Sequence, residues 1–515
     1  MPAESYDVII IGTGAGGGTL AQRLAPSGKR ILILERGGFL PREKQNWDST
    51  AVFQDMRYHT SEQWYDAEGK SFRPHTGYFV GGNTKVYGGA MFRLRERDFE
   101  TVQHRGGVSP EWPVKYRDFE PYYRQAELLY DVHGQRGVDP TEPPMSADYP
   151  FPPFAHEPRI QELHDRLQEH GHVPFPVPLA LKRDDRDPLH SPCIRCSTCD
   201  GFPCLIDAKA DADLNGIRPA LRHPDVTLEL NAKVTRLRAD RSAREVSAVE
   251  ADVNGVAHRF YGDLVVVAAG AINSAALLLR SASDKHPHGL ANSSDQVGRN
   301  YMRHLNGAML GLSRQRNPVV FQKTLALNDY YWGEADFPFP MGHIQLLGKT
   351  DRGLLAADAP WFAPGFALDQ MARHSVDWWV TAEDLPHPGN RVMVGRDGAI
   401  HLQQRDRYYE HFDRLVARWK RELKAVDAAS RRLPLSLYLF KKIPAMGVAH
   451  QNGTCRFGDD PRTSVLNAFC QTHDVDNLYV VDGSFFCSSG AVNPSLTIAA
   501  NALRVGDHLL ERLGH

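Results

Sequence analysis

Two groups of residues in this 515-residue chain have the types and spacing to do chemistry. The first is Gly12-Thr13-Gly14-Ala15-Gly16-Gly17, a Gly-x-Gly-x-x-Gly pattern, with Glu35-Arg36 following about 20 residues on. In such a turn Gly12 permits the tight reversal. Gly14 lets the backbone approach a pyrophosphate, and Gly17 lets a helix pack close to a strand. Glu35 is an acceptor for ribose hydroxyls, and no arginine stands in its place to prefer a 2′-phosphate. The pattern alone does not choose between NAD and FAD. Its place near the N-terminus and a second glycine-rich strand and turn at Tyr479–Ser484 favour FAD, because an extended flavin dinucleotide needs contacts from distant segments. The second group is Cys193, Cys196, Cys199 and Cys204, a spacing from which thiolates can converge on zinc or an iron–sulfur centre. The long last interval and Pro203 argue against that, and the expectation is no metal but buried free thiols.

The elements around the glycines are those a dinucleotide site requires. Tyr6–Ile11 is an apolar, β-branched run suited to a strand buried on both faces. A helix to about Leu24 and a second strand, Arg30–Glu35, complete a strand–turn–helix–strand unit. Residues 132–158 are proline-rich and read as a stiff connection, followed by a helix over about 158–171. Val226–Leu237 and Glu245–Tyr261 alternate like antiparallel strands. Leu264–Ala268 reads as another buried strand, leading into Ala269-Gly270 and a helix to Arg280. From about 300 to 440 the texture becomes aromatic and alternating, with one amphipathic helix near Tyr408–Val426. The last 70 or so residues return to α/β character, ending in a helix over Pro494–Leu510. The expected fold is α/β: a Rossmann-like FAD-binding domain of segments 1–130, 190–300 and 441–515. It is interleaved with an α+β substrate domain, 131–189 and 301–440, built on an antiparallel sheet.

Composition narrows the function class. The chain is 42% hydrophobic and 24% charged, with 60 Lys+Arg against 62 Asp+Glu and a net charge of −2. That excludes disorder, collagen and coiled coil, and leaves no bulk attraction to nucleic acid or an anionic membrane. The apolar runs fall far short of the ~20 residues a membrane helix needs. An acidic start leading straight into a strand, and seven cysteines with four crowded together, point to a cytoplasmic protein.

The chain resembles the glucose–methanol–choline (GMC) family of FAD oxidoreductases nearly end to end. The carriers are Gly12–Gly18 with Glu35-Arg36-Gly37-Gly38, Val80–Gly89, Trp112-Pro113 with Tyr116, Phe119, Tyr122 and Tyr123, Ala269-Gly270-Ala271, Asn390-Arg391-Val392, His450–Arg456, Val481–Ser484 and Asn493–Thr497. At Ala126–Gly134 it is more similar to pyranose oxidases and bacterial glycoside oxidases than to glucose oxidase. It departs from many members at Ser274-Ala275, where Ser-Pro is common. The resemblance implies flavin contacts from Gly12, Thr13, Gly14, Ala15, Gly17, Glu35, Arg36, Gly81, Gly82, Asn83, Thr84, Val234, Ala269, Asp482, Gly483, Asn493, Pro494 and Thr497. Val86 stands where flavin-tethering members carry histidine, implying non-covalent FAD. A sugar-dehydrogenase branch of the family carries an iron–sulfur cluster near the place of Cys193–Cys204, with different spacing.

By the same resemblance His450 falls on the family's active-site histidine and Asn493 on its partner position. An alcohol is a weak acid, so its oxidation needs a base of near-neutral pKa within hydrogen-bond reach, and histidine suits that task. His450 is then the general base and Asn493 the group that orients the substrate hydroxyl. A helix beginning at Pro494 points its N-terminus at the negative charge of a reduced flavin. Of the aromatic residues Phe321, Tyr330, Tyr331, Trp332, Trp361, Phe362, Phe366, Trp378 and Trp379, most read as core. Gln345, in an alternating strand, and Glu383 are the candidates to reach a sugar hydroxyl. The expectation is oxidation of a secondary C2 or C3 hydroxyl of a sugar or glycoside, with electrons passing to O2 or another acceptor. The alternatives are a non-sugar alcohol, an NAD-dependent dehydrogenase, or an electron-transfer subunit whose cysteines hold a cluster.

Overall fold

The apolar run Val8–Ile11 is the centre of a seven-stranded sheet in the computed structural model, which describes residues 5–405, 407–428, 437–444, 447 and 449–514. Strand Ser5–Ile11 lies between Ile31–Leu34 and the end of Val256–Val267, parallel to both. Val226–Glu229 extends the sheet beyond Ile31–Leu34, and Leu478–Val480 joins it at Val265–Val267, again in parallel. Helices on its faces explain why these strands are apolar throughout rather than alternating. Helix Ala15–Leu24 returns the chain from the first strand, and the last helix, Ser495–Arg512, packs against it and against Tyr116–Leu129.

Val256–Val267 changes role along its length. Its exposed first half pairs antiparallel with Val246–Val253, which pairs with Ala232–Ala239, and its buried second half enters the parallel core. Val226–Glu229 differs from expectation: it is parallel to Ile31–Leu34 and separate from the antiparallel strand Ala232–Ala239. The break falls at Asn231, whose φ of +53° turns the chain.

The second sheet has six antiparallel strands in the order Leu437–Lys442, Leu305–Leu312, Ser375–Ala382, His343–Leu346, Leu325–Leu327, Phe175–Pro176. Helix Glu410–Ala428 covers it through Phe412, Leu415, Trp419, Leu423 and Val426, a helical stripe whose Trp419 meets Trp378 edge to face at 4.9 Å. Among the described residues the two large apolar cores are separate, and a small third cluster gathers Val52, Tyr58 and Phe202. Strands Arg391–Val394 and Ile400–Gln403 form a small sheet with Trp64–Tyr65 and Ser71–Phe72, and their Val392, Ile400 and Leu402 join the first core. The 301–440 stretch therefore contributes to both cores. Within the proline-rich stretch, Val132–His133 pairs with Leu179–Ala180. The architecture is a parallel-sheet α/β unit beside an antiparallel sheet.

Candidate active site

The glycine turn has the geometry its residue types demand. Gly12 has φ +100°, and a Cβ there would lie 2.5 Å from the Ala268 carbonyl oxygen. A Cβ on Gly17 would lie 2.0 Å from the Gly12 carbonyl oxygen, so helix and strand approach as closely as glycine allows. Gly14 differs, since a Cβ there would meet nothing within 4 Å. That open cradle at a helix N-terminus, beside a carboxylate at the end of the neighbouring strand, fits a dinucleotide pyrophosphate and ribose.

Glu35 Oε2 accepts from the Thr13 amide at 3.2 Å and from its hydroxyl, and Oε1 accepts from the Gly37 amide at 3.0 Å. Burial pushes the Glu35 carboxyl up from its ordinary range against the pull of those donors. Thr13 also accepts from the Gly81 amide at 3.0 Å, tying the turn to the loop that carries Gly82, Asn83 and Thr84. Both Gly81 and Gly82 have positive φ, and Thr84 accepts from the Ala212 amide at 3.0 Å. Gly12, Gly14, Ala15, Gly82, Asn83, Val234 and Ala269 are partly exposed in largely buried surroundings. Arg36 turns aside to pair with Glu62 at 2.5 Å and to stack on Tyr78.

At the C-terminal end Asp482 binds its own chain. It accepts from the amides of Gly270 and Ser484 at 2.9 Å each and from the Ser274 hydroxyl, so Ser274 serves as an anchor here. A Cβ on Gly483 would meet the Gln451 carbonyl oxygen at 2.5 Å, which brings the histidine segment against this turn. The Gly453 amide donates to the Gly483 carbonyl at 3.0 Å, and Cys455 to Ser484 at 2.9 Å. Asn493 is partly exposed just before the final helix, Pro494 caps that helix, and Thr497 is buried with its hydroxyl 2.8 Å from the Tyr123 hydroxyl.

His450 meets a second histidine that the spacing of residues does not reveal. Its Nδ1 lies 2.8 Å from Nδ1 of His304, with the rings edge to face at 4.9 Å. His304 is fully buried, and its Nε2 lies 3.1 Å from the Ser489 carbonyl oxygen. Burial lowers the pKa of His304 to about 4 and holds His450 well below the ordinary histidine value, the neighbouring His304 adding to the effect on His450. His450 is thus unprotonated and able to accept at neutral pH, but its lowered pKa departs from the near-neutral value expected of the base.

The substrate candidates lie deeper than their exposure in an alternating pattern suggests. Gln345 is buried, with its side-chain oxygen 3.2 Å from Nε2 of His343. Glu383 accepts from the Ser109 hydroxyl at 2.7 Å and the Gly490 amide at 3.2 Å, and lies 3.1 Å from Nε2 of His104. These partners keep the Glu383 carboxyl below its usual range despite its burial. It lines a small pocket together with His104, Tyr331, Trp332 and Ala491, and Ala491 stands two residues before Asn493 in the chain. Trp361, Phe362 and Phe366 are exposed, whereas Phe321, Tyr330, Tyr331 and Trp378 are core.

Cys193 and Cys199 are buried and Cys196 and Cys204 half-buried; all seven cysteines are unpaired, and burial pushes the Cys193 thiol up to about 12. Among the described residues no three His, Cys, Asp or Glu side chains converge to hold a metal ion. No helix among them is long and apolar enough to cross a membrane.

Comparison with known proteins agrees with this geometry. Residues 6–306 match the N-terminal and residues 338–502 the C-terminal domain of GMC oxidoreductase. The chain is 32% identical to 6'''-hydroxyparomomycin C oxidase of Streptomyces lividus, over 99% of this chain and 92% of that protein. It is 30% identical to paromamine 6'-oxidase of Streptomyces fradiae, over 97% and 90%. Against the fructose dehydrogenase large subunit of Gluconobacter japonicus it is 27% identical, over 99% and 98%. The fold of pyridoxine 4-oxidase from Mesorbium loti superposes with a TM-score of 0.64 at 18% identity, covering 98% of this chain and 99% of that one. With its dinucleotide turn, its neutral histidine and these matches, the chain belongs to the GMC oxidoreductase family and is an FAD-dependent alcohol oxidoreductase.

Proposed function

We propose that the chain oxidises a hydroxyl of a sugar or glycoside, a secondary alcohol at C2 or C3, to the ketone, with His450 as general base. The observation that carries this is the neutral, half-buried His450, paired with His304 in a segment whose Gly453 and Cys455 bond to the Gly483–Ser484 turn. Its imidazole takes the hydroxyl proton as the O–H and C–H bonds of the carbinol break and C=O forms. Asn493 hydrogen-bonds the hydroxyl and orients it, while Gln345 and Glu383 contact the remainder of the sugar. FAD, when bound, would supply the acceptor for the hydride, and the N-terminus of the final helix at Pro494 and Ser495 would favour negative charge placed near it. The flavin is non-covalent, in keeping with Val86 in the loop beside Gly82. Electrons pass on to O2 or another acceptor. Seven unpaired cysteines suit a reducing cytoplasm. The aminoglycoside and sugar names of the relatives support a polyhydroxylated substrate, and two of them specify a 6' or 6''' position.

The test is anaerobic mixing of the flavin-loaded protein with sugars, glycosides, amino sugars and simple alcohols, followed by air. Bleaching of the flavin by a glycoside, with a 2- or 3-keto product, supports the reading. Bleaching only by simple alcohols removes the sugar assignment, and a product oxidised at position 6 removes the regiochemistry. Return of the yellow colour in air identifies O2 as an acceptor. Acid precipitation that leaves flavin in the pellet contradicts non-covalent binding.

A further inference from the structure

We propose that His304 is a positioning residue that fixes the tautomer of His450, leaving Nε2 of His450 as the nitrogen that takes the substrate proton. The proposal rests on the reading of His450 as base and adds which atom acts and what holds it ready.

A carbonyl oxygen only accepts, so the 3.1 Å contact between Ser489 O and Nε2 of His304 requires the hydrogen to sit on that nitrogen. A neutral imidazole carries one N–H, so Nδ1 of His304 is a bare acceptor. The 2.8 Å contact between the two Nδ1 atoms then requires the hydrogen on Nδ1 of His450. His450, neutral in its turn, presents an unprotonated Nε2. The opposite assignment would aim the lone pair of His304 Nε2 at a carbonyl oxygen in a fully buried place. Burial keeps His304 from charging and outweighs the Ser489 carbonyl and the Glu383 carboxylate, both of which pull towards the imidazolium. When Nε2 of His450 gains the proton, Nδ1 keeps its hydrogen and the contact to His304 survives. The arrangement serves both protonation states without rearranging.

The backbone explains why these histidines meet. Met302–Arg303 pairs antiparallel with Gln451–Asn452, with Met302 opposite Asn452 and Arg303 opposite Gln451. One step further in the same register sets His304 against His450. Gly453, with φ +86° and room for no Cβ beside the Asn300 carbonyl, lets the two segments approach.

The test uses flavin-loaded protein labelled with 15N-histidine, with resonances assigned through His304→Asn and His450→Gln. At neutral pH His450 should show a protonated Nδ1 and a bare Nε2, and His304 the reverse. A proton on Nε2 of His450 overturns the proposal. His304→Leu removes the acceptor, and flavin reduction should slow by about 100-fold as the His450 signals move to the Nε2–H form. His304→Asn offers an amide oxygen to Nδ1–H and should recover most of the rate. Equal rates for the Leu and Asn variants, or unmoved His450 signals in the Leu variant, would count against it. If His304→Leu does not fold, the spectrum of the unaltered protein decides alone. Undiminished flavin reduction in His450→Ala would instead defeat the base assignment and leave the measured tautomer standing, so the two failures are distinguishable.

Discussion

In the glycine turn, Thr13 and the Glu35 carboxylate that holds it lie 22 positions apart, whereas His450 and the histidine that holds it lie 146 apart. The turn is assembled within one strand–helix–strand unit, by close approaches that only glycine permits. The histidine pair depends on a two-residue strand pairing and on the Gly483 turn arriving from the chain's end. A site of the first kind is sensitive to the bulk of single residues in the turn. One of the second kind is sensitive to anything that shifts the register of distant segments.

Substitutions can break this contrast. Gly17→Val forces side-chain atoms against the Gly12 carbonyl, where a Cβ alone would sit 2.0 Å away. Overpacking against fixed backbone costs more than about 3 kcal/mol, so this variant should purify without flavin and with a markedly lower Tm. Full flavin content would contradict the role given to the turn. His450→Ala should retain flavin and lose about 100- to 10,000-fold in the anaerobic rate of flavin reduction, measured by stopped flow. Glu35→Ala should leave that rate nearly intact at saturating FAD but weaken FAD binding about 10- to 100-fold in a titration of apoprotein. If the rate falls and the affinity does not, the division of labour between the two regions is wrong.

The smallest effect is on pH dependence, and it has opposite signs in the two regions. His304, lowered to about 4, and His343, lowered to about 3, stay neutral in the folded protein while the unfolded chain binds protons near pH 6.5. Stability is therefore lost as pH falls below about 6.5, by roughly 1 kcal/mol per histidine at pH 6. Glu35 is raised, so its contribution is present at acid pH and lost as pH rises through its folded pKa. Thermal melts of apoprotein from pH 7.5 to 5 should show Tm falling, with His343→Asn flattening the slope. A flat profile that stays flat in Glu35→Gln, where the opposing carboxyl is removed, would show that neither histidine is held neutral.

Much of the fold could be read along the chain because its signals are local. The unbroken apolar strands, the glycines between strand and helix and the stripe from Phe412 to Val426 each carry their own periodicity. The parallel pairing of Val226–Glu229 was not legible, because a four-residue strand looks the same whichever way its neighbour runs. Nor was the internal engagement of Asp482 and Glu383, since a carboxylate's partners come from segments hundreds of residues away in the chain. His304 is one of 23 histidines with no motif around it, and nothing in its spacing marks it out.

By itself, the sequence determined that a glycine-rich turn joins a buried strand to a helix with a carboxylate after the next strand, and that the chain belongs with the GMC oxidoreductases. Glycine's missing side chain and the alternation of apolar residues act over a few positions and survive in one dimension. Only the tertiary structure decided that His450 faces a second, buried histidine through Nδ1, and that the Ser489 carbonyl lies beyond it at Nε2 of His304. The physical reason is that hydrogen bonds are short and directional, and the groups they join here are brought within reach only when the sheets form.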